Sequence, residues 1–278
     1  MITTHQNGGA VTVLLTARAI NPLSRLFQRE LATLLEKLES RRDSLSAVII
    51  GFDPGPQAAS HELEHLMALT PAQAADCMHM LHAYNGLLQR LENLGRPVIA
   101  ALSGEVSGHA FGLALACHQR LSLRDTRFSL PQVRLGLAPV AGEIVRTVRL
   151  AGLQAAMPLL LEGAVLEAEQ ARRAGLLHAI AANDAELARL SAAAQDSRQR
   201  HPRPRDTGLA TPALRALLHT APARLRERAD GASPAAEAIL CAMVEGAQVD
   251  FHNALLIESR YFCQTAINPA PLKSMFSL

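Results

Sequence analysis

Charge is scarce in this chain. Only 19% of its residues are charged and the net charge is +2, a field too weak to make nucleic acid or a membrane surface the main partner. Lysine is almost missing, with Lys37 and Lys273 alone, so arginine carries nearly all the positive charge. That suits local anion contacts, and equally a GC-rich coding bias. Cysteine is sparse too: Cys77, Cys117, Cys241 and Cys263 are scattered without CxxC spacing. Each lies in a largely apolar stretch, where a reduced thiol behaves as a small buried hydrophobe. No apolar run approaches the length of a bilayer span, and the N-terminus has neither the basic start nor the apolar core of a leader. These absences predict a soluble, cytoplasmic protein whose partner is a small molecule.

What is present is enough apolar sequence for one substantial core: 49% of 278 residues. Val11 to Thr16 reads as a strand, and Leu23 to Leu38 reads as an amphipathic helix behind the start signal Asn21-Pro22. A second β run, Ala47 to Ile50, ends at the turn-forming GFDPGP. A helical region from Pro71 to Leu94 then leads to a third β run, Pro97 to Leu102. This alternation predicts βα units. Beyond a short helix (Ala110 to Cys117) and two β-like pieces (Arg120 to Leu123, Arg127 to Leu130), the pattern turns helical after Pro139. A polar linker with Pro202 and Pro204 separates an expected core, residues 1–200, from a helical C-terminal subdomain, residues 201–278.

The chemistry concentrates between Arg96 and Gly152. There an apolar strand ends at glycines and a helix opens at once, so free N–H groups and a positive dipole end point to one spot. On its own such a junction serves packing or phosphate binding as readily as catalysis. The full wording, PVIAALSGEVSGHAFGLALA followed by LPQVRLGLAPVAGE, resembles the enoyl-CoA hydratase/isomerase (crotonase) superfamily, in which PVIAA leads through NG and GGG to LPE, LG, P and GAGG. VTVLL with Asn21-Pro22-Leu23-Ser24, LEGAVLEAEQARRAGLLHAI and the C-terminal stretch from Met243 extend the resemblance over most of the chain. The last is similar to the end of the hydratase half of multifunctional fatty-acid oxidation proteins.

The resemblance implies an α/β fold, a crotonase spiral of ββα units with a helical C-terminal subdomain that packs in trimerisation. It implies an acyl-CoA or acyl-carrier thioester as partner, coenzyme A entering only as part of the substrate, and a homotrimer or dimer of trimers. It also implies a backbone oxyanion hole. One donor falls on the N–H of His109, beside Gly108 in Gly108-His109-Ala110; the other falls at His61, with Ser60 and Ala59 as neighbours able to take the role. Arg18 and Arg25 lie where the family places basic residues near the CoA phosphates, although exposed arginines after a strand are ordinary.

Two departures narrow the function. Hydratases of the family use two glutamates, and the corresponding positions here are Gly112 and Gln132. Glycine offers no group, and glutamine does not exchange a proton near neutral pH. Losing one general acid or base costs ~10²–10⁴ in rate, so ordinary hydration is not expected. Glu143 replaces the last glycine of the GAGG-like turn and is the candidate acid/base; its alternative reading is a carboxylate favoured by a helix N-terminus. His109 likewise reads either as a packing substitution or as a side chain reaching the pocket. The expected function is thus non-hydratase acyl-CoA chemistry such as double-bond isomerisation. The alternative is a pseudoenzyme that binds acyl-CoA or a partner without turnover. His61-Glu62-Leu63-Glu64-His65 also satisfies HExxH, the pattern of a zinc hydrolase, but Ala68 and Pro71 stand where a metzincin has glycine and its third histidine.

Overall fold

The computed structural model describes residues 2–53, 69–194 and 233–267. The chain opens with a hairpin, β1 (Ile2–Asn7) antiparallel to β2 (Ala10–Thr16). From β2 onward, β3 (Ala47–Asp53), β4 (Val98–Leu102), β6 (Gln119–Leu123) and β9 (Ala179–Ala181) add in parallel, giving the order β1-β2-β3-β4-β6-β9. A smaller sheet joins β5 (Glu105–Ser107), β7 (Arg127–Ser129) and β8 (Leu166–Glu167) in that order. Two successive turns of the chain therefore leave one strand in each sheet before a helix closes them: β4, β5 and then α3 (His109–Leu115); β6, β7 and then α4 (Glu143–Ala151). This is the expected spiral of ββα units.

Strand alternation divides the large sheet into two faces. Val11, Val13, Leu15, Val48, Ile50, Val98, Ala100 and Leu102 face the main core, where α1 (Arg25–Ser40) and α2 (Ala74–Glu92) cover them. Helix α1 starts where Ser24 accepts the Phe27 N–H at 3.2 Å, an N-cap of the usual kind; it buries Phe27, Leu31, Leu34, Leu35 and Leu38 along one stripe. The opposite face carries Ala47, Ile99 and Leu121 under α7 (Asp184–Ala194). A hollow of about 580 Å³ beside them is lined by Thr12, Ile49, Ala101, Asp184 and Ser191, among others, and contains none of the candidate site residues.

After α4 the chain adds α5 (Leu153–Leu161) and α6 (Ala168–Arg173). Its C-terminal helices, α8 (Pro234–Gly246) and α9 (Phe251–Ile267), pack against each other and against α4 and α2. They place Ile239, Met243, Phe262 and Cys263 in the main core. The expected boundary near residue 200 lies outside the described residues. Three cysteines are buried as anticipated, but Cys241 is exposed, because it faces away from the stripe that α8 packs inward. Among the described residues no helix is long and apolar enough to cross a membrane.

Candidate active site

The two ββα turns bring three separate sequence positions onto one carboxylate. Strand β4 ends, Gly104 turns the chain at φ +67 into β5, and Gly108 turns it again at φ +55. Helix α3 then begins at His109. The first N–H groups of a helix have no acceptor within it, and the His109 N–H is one of these. From the second turn, Gln132 sits in the short 3-10 helix Pro131–Leu135, and Glu143 opens α4.

The turn before Glu143 is strained. Ala141 has φ +62, a left-handed conformation that a residue with a Cβ seldom adopts, and Gly142 follows at φ +84. Glycine suits position 142 because side chains rarely adopt its positive φ, and a Cβ there would also displace the Arg146 guanidinium and press on Leu255. The consequence is a tight corner that aims the first side chain of α4 back towards α3.

Glu143 is completely buried. Its Oε1 pairs with His109 Nδ1 at 2.6 Å. Its Oε2 accepts from Gln132 Nε2 at 2.7 Å and from the Val140 N–H at 3.2 Å. Oε2 thus has two donors, while Oε1 shares one proton with His109 Nδ1; with Glu143 as a carboxylate, which can only accept, that proton sits on Nδ1. The side chain also occupies the space that a residue at 112 would use: a Cβ on Gly112 would lie 2.6 Å from Glu143 Cγ and 2.9 Å from Oε1. Gly112 is thus the room that Glu143 needs.

A further carboxylate supports this corner from the other end of the chain. Glu258, in α9, is buried and accepts the Gly142 N–H at 2.5 Å and the Val145 N–H at 2.8 Å. Burial pushes its carboxyl up to about 8, against the pull of these two N–H groups, and the neighbouring Glu143 adds to the rise. On the far side of α4, Arg146 pairs with Glu92 at 2.7 Å and donates to the Ala141 carbonyl at 3.1 Å. It thereby holds the strained residue in place.

Of the residues singled out in the sequence, the fold brings together His109, Gly112, Gln132 and Glu143, with Gly108 beside them. Gly108 would carry a Cβ 3.7 Å from Gln132 Nε2. Arg18 lies exposed in the short 3-10 turn Ala17–Ala19, which adjoins α3, and Arg25 is exposed at the start of α1. His61, with Ser60, Ala59 and the HELEH segment, lies outside the described residues. Among the described residues there is no group of three histidines, cysteines or carboxylates able to hold a metal ion.

Two features escaped the sequence. Glu258 is 116 positions from the N–H it accepts, and no local motif marks it. The tie between Gly112 and Glu143 did leave a signal, since a glycine stands where a glutamate is expected and a glutamate where a glycine is expected.

Similarity to known proteins agrees with this architecture. Residues 5–201 match the family model described as enoyl-CoA hydratase/isomerase. A fatty acid oxidation complex subunit alpha of Idiomarina loihiensis is 28% identical over 270 residues, 93% of this chain. The chain spans 37% of that relative's length. An enoyl-CoA hydratase/carnithine racemase of Magnetospirillum magneticum superposes with a TM-score of 0.59 at 28% identity, over 70% of this chain and 73% of the other. An enoyl-CoA hydratase of Bacillus halodurans does so with 0.60 at 21% identity, over 96% of each chain. With most of its length matched by the family model and its spiral of ββα units shared with these structures, the chain belongs to the enoyl-CoA hydratase/isomerase family.

Proposed function

We propose that this protein binds an acyl-CoA thioester and moves a proton between carbons of the acyl chain, a double-bond isomerisation, instead of adding water. One observation carries the reading: Gly112 and Gln132, the positions corresponding to the hydratase glutamates, both meet the carboxylate of Glu143. Hydration needs one group to activate water and another to protonate the α-carbon. Isomerisation needs one group that takes a proton and returns it two carbons away. Among the described residues, a carboxylate flanked at these two positions by a glutamine and a glycine suits the second reaction.

In this reading the thioester oxygen is held by the N–H of His109 and a second N–H near His61, which stabilise the enolate as negative charge develops on it. Arg18, exposed beside α3, and Arg25, exposed at the start of α1, are the candidates for the CoA phosphates. Coenzyme A is part of the substrate, and no separate cofactor is called for. The same family reading gives a cytoplasmic homotrimer or dimer of trimers.

The test compares 3-enoyl-CoA isomerisation with crotonyl-CoA hydration in the purified protein. Isomerisation should dominate, and Glu143→Gln should lower it by ~10²–10⁴. Hydration as fast as isomerisation, or turnover indifferent to Glu143→Gln, would overturn the proposal.

A further inference from the structure

Resting on that reading, we infer that the group exchanging the proton with substrate is the imidazole of His109, through Nε2, and that Glu143 is a positioning residue behind it. The carboxylate is poorly placed to act alone. It has no exposed surface, whereas the His109 side chain is 12% exposed. Each of its oxygens is already an acceptor: Oε1 for the imidazole, and Oε2 for both Gln132 Nε2 and the Val140 N–H. A substrate proton could reach Glu143 only by displacing one of these donors.

The same bonds prepare the imidazole. With Glu143 as a carboxylate, it accepts the Nδ1–H, and the basic lone pair of the ring then lies on Nε2. When Nε2 gains a proton, the carboxylate 2.6 Å from Nδ1 stabilises the imidazolium. His109 also carries, on its own backbone, the N–H proposed for the thioester oxygen. The carbonyl and the adjacent α-carbon are thereby brought to the residue whose side chain must reach them.

In the forward step the Nε2 lone pair takes a proton from C2. The C–H electron pair becomes a carbon–carbon π bond, and the carbonyl pair moves onto oxygen, giving a dienolate. In the return step the dienolate takes the proton from Nε2–H at C4 and the carbonyl re-forms. The imidazole is neutral again, and the double bond has moved from C3 to C2.

The same hydrogen bonds dictate how Glu143→Gln should fail. Gln132 Nε2 and the Val140 N–H are both donors, so they would hold the new carboxamide oxygen and turn its NH₂ towards His109. That NH₂ would donate to Nδ1, forcing the proton onto Nε2 and removing the base.

The experiment uses three variants, His109→Gly, His109→Gln and Glu143→Gln, each checked for folding by circular dichroism and urea denaturation. Isomerisation kcat is measured with and without added imidazole, alongside exchange of the acyl-CoA α-protons with D₂O. Both His109 variants should lose ~10²–10⁴ in kcat with KM little changed, and imidazole should restore at least about tenfold to His109→Gly. It should restore nothing to Glu143→Gln, whose site is filled by the wrong tautomer. Activity in both His109 variants close to the parent, with Glu143→Gln inactive, would overturn the inference and leave the isomerase reading standing. A parent protein that neither isomerises nor exchanges α-protons would overturn both.

Discussion

The two ends of helix α3 use similar residues for opposite purposes. At its C-terminal end the buried Arg120 guanidinium donates to the carbonyls of Leu176, Ala114, Leu115 and Cys117. Next to it, His118 Nδ1 accepts the Val98 N–H at 2.9 Å while its Nε2 meets the Glu92 carbonyl at the same distance. Every one of these partners is backbone. At the N-terminal end, His109 and Gln132 bond instead to a side-chain carboxylate. A histidine fixed between a peptide N–H and a peptide carbonyl has a locked tautomer and no acid or base to trade with. One resting on a carboxylate can change its charge. The difference separates the end that holds the fold from the end where proton transfer is proposed.

The largest effect on stability should come from the backbone-bound end. Arg120→Met leaves four buried carbonyls without that donor and should cost about 3 kcal/mol or more. Urea denaturation would read the loss, with kcat per folded molecule little changed. A strong fall in kcat at unchanged stability would erase the distinction between the two ends.

At the other end, Gly112→Ala should cost about 1–3 kcal/mol, because its Cβ meets the Glu143 side chain at a distance no packed core tolerates. Introduced into a Glu143→Ala background, the same change should cost almost nothing. Additive costs in a double-mutant cycle would show that the two positions do not share one space.

The effect that is smallest per step, read as a slope with pH, belongs to the support behind the site. Glu258 keeps its proton in the folded protein up to about 8, against an ordinary value of 4.5. Between these values the folded state holds a proton that the unfolded chain has released, so stability falls as pH rises. The slope is at most ~1.4 kcal/mol per pH unit from this group. Denaturation midpoints from pH 5 to pH 8 should show that decline, and Glu258→Gln should flatten it. An equal slope in the variant would mean that another group carries it.

Local pattern announced the scaffold better than the site. Helix α1 and strands β2, β3 and β4 follow from periodicity and start signals, and they lie within a few residues of the expected bounds. Strands β1, β5, β8 and β9 were not legible. β1 is an almost wholly exposed edge strand, and the other three have only two or three residues each, too few to display an alternation. The importance of Gly112, Gln132 and Glu143 was readable one residue at a time against the family wording. Their convergence was not, because it depends on how two ββα turns stack. The His109 side chain was undecided for the same reason: its partner is 34 residues away.

Glu258 bears on where this chain could be divided. The corner that aims Glu143 is held by a carboxylate from the last described helix, and the Ala138 N–H just before it donates to Thr265 of that helix at 3.1 Å. A boundary drawn after the last strand would keep every residue proposed for proton transfer, yet remove the clamp that orients one of them. For dissection or fusion, the indivisible unit is therefore the spiral together with α9.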